Sequence, residues 1–202
     1  MKNTLQKAER FYERMDFNSA IKEAEFLWHN NKTEQLANFL GLLHDQKAMI
    51  VQDVKIKARL RQKSALYHKQ ALAINPKSLK AYLGLGRLFM HKNQFIKATA
   101  YYKKAVKINP KSYDAQNGLG NIYKRTNHLS LALRWYEKAL NNAPKRSIIL
   151  TNIARLYKSK NDFKNSSKIA KRALLELKKE KRKQMGPIRN LEKELREIIK
   201  QA

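Results

Sequence analysis

The tetrapeptide Asn75-Pro76-Lys77-Ser78 recurs as Asn109-Pro110-Lys111-Ser112 and, more loosely, as Ala143-Pro144-Lys145-Arg146, each time 34 residues on. Aligning residues 75–108 with 109–142 gives 13 identities in 34 positions. A period in the range of about 20 to 50 residues marks a supersecondary unit that buries its apolar face by stacking on copies of itself.

Inside each period the apolar spacing is helical. Leu79, Tyr82, Leu85, Gly86 and Phe89 fall on one helix face before Asn93-Gln94 interrupts the run. Phe95, Ala98, Tyr102, Ala105 and Ile108 then form a second helix that Pro110 stops. The next copy repeats this with Gly118, Leu119, Gly120 and Tyr123, then Asn127-His128, then Leu129, Ala132, Tyr136 and Ala139. The third uses Ile149, Ile153, Ala154 and Tyr157, then Asn161-Asp162, then Phe163, Ala170 and Ala173. Small residues such as Gly86, Gly120 and Ala154 admit close helix approach, and Phe89, Tyr123 and Tyr157 fill the space between helices.

The set Leu85-Gly86…Phe89…Ala98…Tyr102…Ala105…Pro110, with its counterparts at Leu119-Gly120…Pro144 and Ile153-Ala154…Ala173, resembles the tetratricopeptide repeat family. The resemblance implies an all-α fold, a right-handed superhelical solenoid of antiparallel helix pairs, with clear repeats at 79–112, 113–146 and 147–180. Ser166 stands where the family has Ala, so looser packing is expected there. Residues 1–44 read as degenerate helix pairs: Ala8, Phe11, Phe17, Ala20, Ala24 and Leu27 keep the register around a Met15-Asp16 turn. Residues 45–78 read as an irregular segment. No Gly or Pro interrupts Asp45 to Ile74, so one overlong helix of up to about 30 residues is an option there. Gly186-Pro187 ends the last long helix, and Ile188, Leu191, Leu195, Ile198 and Ile199 make residues 188–201 an amphipathic capping helix.

The 202-residue chain has no Cys, which excludes disulfides, thiolate metal sites and a cysteine nucleophile. Its amino terminus carries charges where a signal peptide needs an apolar run, so a cytoplasmic chain without integral membrane contact is expected. The five His, at 29, 44, 68, 91 and 128, make no metal-ligand spacing. Asp16 and Asp162 are expected as helix caps, and Gly84-Leu85-Gly86 and Gly118-Leu119-Gly120 as packing contacts rather than phosphate loops. No enzyme activity and no cofactor are expected.

Net charge is +28. Residues 1–53 hold 7 basic and 8 acidic side chains, residues 54–113 hold 15 basic and none acidic, and residues 114–202 hold 22 and 8. Such a field attracts polyanions and opposes self-association, so a monomer is expected, with dimerisation through an open stack end as the alternative. A compositional bias toward Lys and Asn is the other source of such charge.

In the resembled family the first helix of each pair lines a binding groove. That implies a peptide-binding set of Lys80, Arg87 and His91, then Asn117, Asn121, Lys124 and Arg125, then Asn152, Arg155 and Lys158. Asn suits peptide backbone, and the cations suit an acidic or carboxylate-bearing segment. The family's carboxylate clamp for chaperone tails is matched poorly. Leu83 and Arg87 stand at its opening Lys and Asn, Gly118 at its central Asn, and Ile148 and Asn152 at its later Lys/Arg pair. The expected function is a protein–protein interaction adaptor. Charge reversal at Arg87 and Arg155 is expected to abolish partner capture with helical content intact. The alternative is a basic helical repeat on RNA or a ribonucleoprotein, held through the phosphate backbone, with Lys178, Lys179, Lys181, Arg182 and Lys183 as a polyanion-binding stretch.

Overall fold

In the computed structural model, which describes residues 2–182 and 189–201, every regular element is an α-helix. Two compact units divide the chain, Met1–Ile108 and Asn109–Ala202.

The first unit comprises α1 (Lys2–Glu13), α2 (Phe17–Asn30), α3 (Glu34–Ile50), α4 (Val54–Ile74), α5 (Leu79–His91) and α6 (Phe95–Ile108). Each helix packs on the next in sequence, and α3 also touches α5. Its main core joins Phe17, Ala20 and Trp28 of α2 to Leu36, Leu40 and Leu43 of α3, reaching Ala71 and Ala81. Tyr12 packs edge-on against both Phe17 and Phe39, and Trp28 edge-on against Tyr67.

The second unit comprises α7 (Tyr113–Arg125), α8 (Leu129–Asn142), α9 (Arg146–Ser159), α10 (Phe163–Arg182) and α11 (Arg189–Lys200). Tyr136 is fully buried with Ala132, Ala139, Ile149, Ile153 and Leu156. On α11, Leu195 and Ile198 close over Leu150, Ala154, Ala170, Ala173 and Leu177. Gly186-Pro187 and Ile188 lie outside the described residues.

Local chemistry explains the repeated tetrapeptide. Asn75 Oδ1 accepts from the Lys77 N–H at 3.0 Å, and Ser78 Oγ caps α5 by accepting from the Ala81 N–H at 3.3 Å. Asn109 and Ser112 do the same for Lys111 and Ala115 ahead of α7. The third copy lacks both residues, and Lys145 makes no side-chain cap for α9. Its place is taken from a distance: buried Glu180 of α10 accepts from the Ser147 N–H at 3.0 Å and from the Ser147 hydroxyl at 2.6 Å. A carboxylate at a helix N-terminus is also favoured by the helix dipole.

The opposite turn is equally regular. Met15, Asn93, Asn127 and Asn161 adopt φ near 60°, and the following N–H in each case bonds the carbonyl five residues back. This is the left-handed helix stop that asparagine tolerates well. Asp16 and Asp162 then cap, accepting from the Ser19 and Asn165 N–H groups.

Two sequence expectations are corrected. The stretch from Asp45 to Ile74 is not one helix, because Val51, Gln52 and Asp53 separate α3 from α4. Asp53 Oδ1 caps α4 by accepting from the Ile56 N–H at 2.8 Å, so a capping aspartate makes the break without Gly or Pro. Ser166 does not loosen its repeat: it is 1% exposed and its hydroxyl donates to the Ala154 carbonyl at 2.9 Å.

Close packing settles the two Gly-Leu-Gly stretches. A Cβ on Gly120 would lie 2.5 Å from the Tyr136 ring, and one on Gly86 would lie 2.9 Å from Tyr102. A buried tyrosine ring contributes about 2–3 kcal/mol, so excluding a methyl group here keeps a larger gain.

Candidate functional site

On the first unit, α5 presents Lys80, Leu83 and Arg87 to an open cleft of about 260 Å³, whose other walls include Gln35, Asn38 and His68. Lys80 is exposed. Arg87 is half-buried and its Nε donates to Asp45 Oδ2 at 2.7 Å, with Asp45 2% exposed. His91 closes α5 and is half-buried.

Beside the apolar Leu5, Phe39 and Leu42, the lining of this cleft carries a tight polar network. Asn38 donates to Ser78 Oγ at 2.9 Å and to Glu34 at 3.2 Å, while its Oδ1 lies 3.3 Å from His68 Nδ1. The acceptor role of that oxygen places the proton of neutral His68 on Nδ1. Burial, aided by the Arg87 charge, pushes His68 down to about 4. Hydrogen bonds from Asn75 and Ser78 hold Glu34 below the usual carboxylate range.

On the second unit, α7 and α9 bring six predicted residues together. Asn152 Nδ2 donates to Asn117 Oδ1 at 2.9 Å, and Arg155 Nη1 donates to Asn152 Oδ1 at 3.2 Å. The Tyr136 hydroxyl donates to Asn121 Oδ1 at 2.8 Å. Lys124, Arg155 and Lys158 line a cleft of about 460 Å³ with Ser159, Glu194, Glu197 and Ile198. Arg125 is exposed at the end of α7.

A carboxylate already sits in this cleft. Glu194 of α11 takes both Nε and Nη2 of Arg155 in a two-pronged pair. That pair raises Arg155 and holds Glu194 below its ordinary range. Burial first, and then the Arg155 charge, lower Lys124.

Both arginines named for partner capture thus have internal carboxylate partners, Asp45 and Glu194. Charge reversal at either one places two negative groups together, so intact folding is not the expected outcome for those variants. Neither partner was legible in sequence. Asp45 reads as one residue within a helix, and Glu194 as the polar side of a cap.

Of the basic stretch, Lys178 and Lys179 are exposed, and Lys179 pairs with Glu176 at 3.0 Å. Lys183 lies outside the described residues, as do the side chains of Lys181 and Arg182. Among the described residues no cluster of three or more His, Asp or Glu could hold a metal ion. No helix among them is long and apolar enough to cross a membrane.

Family models described as TPR repeat and tetratricopeptide repeat match residues 86–127 and 113–146. No curated protein matches the chain. Among solved structures it is similar to TTC0263, a thermophilic TPR protein of Thermus thermophilus, at 17% identity and a TM-score of 0.77 over 98% of both chains. It is similar to the type IV pilus biogenesis factor PilW at 18% identity and a TM-score of 0.74, covering 88% of this chain and 77% of that one. MamA gives 19% identity and a TM-score of 0.64, covering 87% of this chain and 96% of that one. At these identities the likeness to solved structures is one of fold. Residues 86–146 thus match the tetratricopeptide-repeat family, whose repeats serve as scaffolds for protein–protein contact, and the described helices share the paired-helix repeat fold of those structures.

Proposed function

We propose that the second unit holds an acidic, extended segment of a protein partner on the α7–α9 face. The observation that carries this reading is the Lys124/Arg155/Lys158 cleft, where one carboxylate, Glu194, is already bound in a two-pronged pair. With the oxygens of Asn117 and Asn121 engaged, their NH2 groups suit the carbonyls of a peptide backbone. Lys124 is held half-buried in a positive field, and an added carboxylate relieves it.

The test uses the full chain and a fluorescent peptide of alternating Glu and Gly. Lys124→Glu with Lys158→Glu is expected to weaken binding by more than about tenfold, or about 1.4 kcal/mol, with the far-ultraviolet circular dichroism unchanged. Both lysines also help hold Glu194 below its ordinary range, so Lys124→Gln with Lys158→Gln is run alongside and is expected to weaken binding too, removing the two charges without placing new carboxylates beside Glu194 and Glu197. Peptide binding that survives the double reversal would sink the assignment.

A further inference from the structure

The carboxylate-free stretch of the first unit also lines a second cleft, apart from the one walled by Lys80, Leu83 and Arg87. From Val54 to Ile108 there are 14 basic residues and no acidic one. Two of them meet carboxylates from outside the stretch: Lys63 pairs with Glu25 and Arg87 with Asp45. Among the described residues the other twelve have no carboxylate within 4.0 Å.

Three of the twelve converge. Lys77, from the α4–α5 turn, and Lys104 and Lys107, from α6, line a cleft of about 470 Å³ with Pro76, Tyr82 and Ile108. The C-terminal dipole of α6 offers only about half a negative charge. It can offset one of these ammonium groups in part, and not three. Tyr82 forms the aromatic wall. Its hydroxyl donates to the Pro76 carbonyl at 3.1 Å, which fixes the ring, and Lys104 Nζ lies 5.7 Å from the ring centroid.

We infer that this face, built from the α4–α5 turn, α5 and α6, docks the phosphate backbone of a nucleic acid, with the Lys77/Lys104/Lys107 cleft as its anchor. Two features favour phosphate over carboxylate. The converging cations are all lysines, compact point charges that suit phosphate, whereas the planar fork that matches a carboxylate is absent from the cleft. An immobilised tyrosine ring beside them is the kind of platform on which an unpaired base stacks. A lipid surface would instead require a continuous apolar stripe to insert. The exposed large apolar residues of α6, Ile96 and Ile108, lie at its two ends with exposed Lys97, Lys103, Lys104 and Lys107 between them, and those of α4, Val54, Ile56, Leu66 and Ile74, are likewise interrupted by basic residues.

The test is a salt titration of the full chain with a fluorescent uridine oligomer of about 20 nucleotides, enough to span one such face. The variant carries Lys77→Gln, Lys104→Gln and Lys107→Gln, all exposed positions that leave the core untouched. A control removes the same charge elsewhere through Lys164→Gln, Lys168→Gln and Lys171→Gln, exposed on α10. Losing three phosphate contacts should lower the slope of log affinity against log salt by about 2, and affinity near 0.1 M salt by more than about tenfold. The control should keep both close to wild type.

Retention of the effect with a deoxythymidine oligomer identifies the phosphodiester backbone itself as the recognised group. An effect confined to the uridine oligomer adds the 2′-hydroxyl to it. Equal losses in variant and control would overturn the proposal, since net charge alone would then account for binding. Preferential binding to phosphatidylserine vesicles over the oligomer would overturn it as well. Failure here leaves Lys124 and Lys158 untouched, so the peptide reading is tested separately.

Discussion

Met15 occupies a position that asparagine fills in the three clear repeats. Its φ is 61°, against 57°, 62° and 58° for Asn93, Asn127 and Asn161. The backbone bonds at all four stops are alike, so the difference lies in the side chain. A Cβ in the left-handed region costs about 1–2 kcal/mol, which asparagine partly recovers through local hydrogen bonding. Met15 is 67% exposed, so replacing it removes little packing. Met15→Asn is expected to raise the free energy of unfolding by about 0.5–1 kcal/mol. Urea titration of the single variant checks this, and an unchanged or lower midpoint would count against the strain argument.

At the scale of the helices, His68 of α4 inserts its ring between α3 and α5. Its ring meets Gly41 on one side and Gly84 on the other. A Cβ would fall 2.6 Å from the ring at Gly41 and 2.2 Å at Gly84. Glycine at these two helical sites is therefore required by packing, despite a helix penalty of about 1 kcal/mol at each. Gly84→Ala is expected to destabilise the protein by about 2–3 kcal/mol through overpacking. In a His68→Ala background most of that penalty should vanish, giving a large coupling in a double-mutant cycle. A penalty that persists without the imidazole would place its cause elsewhere.

Across the whole chain, the titratable burden is unevenly divided. His44 and His68 both lie in the first unit, 2% and 3% exposed. Burial leads in pushing each down to about 4, with the Lys63 charge adding to it at His44 and the Arg87 charge at His68. Unfolding returns them to about 6.5, so the unfolded state takes up protons first as pH falls. Stability contributed by the neutral imidazoles is thus complete above about pH 6.5 and is lost as pH falls toward 4. Within that window each histidine contributes a slope of about 1.4 kcal/mol per pH unit. Trp28 is in the first unit and Trp135 in the second, so a Trp135→Phe variant makes fluorescence report on the first alone. Its urea midpoint is expected to drop between pH 6.5 and 5. A flat midpoint over that range would refute the account.

The parts legible in sequence are those whose interactions close within a few residues. Asn75 and Ser78 cap over two and three positions, Asp16 and Asp162 cap over three, and the Asn93 stop closes over five. A 34-residue period repeats those short-range bonds, so helix order and the packing role of Gly86 and Gly120 follow from pattern alone. The break at Asp53 is of the same local kind, legible as a cap although no Gly or Pro announces it. Tertiary structure decided which charges are already spent. Arg87 meets Asp45 across 42 residues, Arg155 meets Glu194 across 39, and Ser147 meets Glu180 across 33. Separations of a whole repeat carry no short-range signature, because helix stacking rather than chain proximity brings the partners together. Stacking likewise gathers Lys77, Lys104 and Lys107 at one cleft without a carboxylate, where the linear sequence showed only that the charge was there.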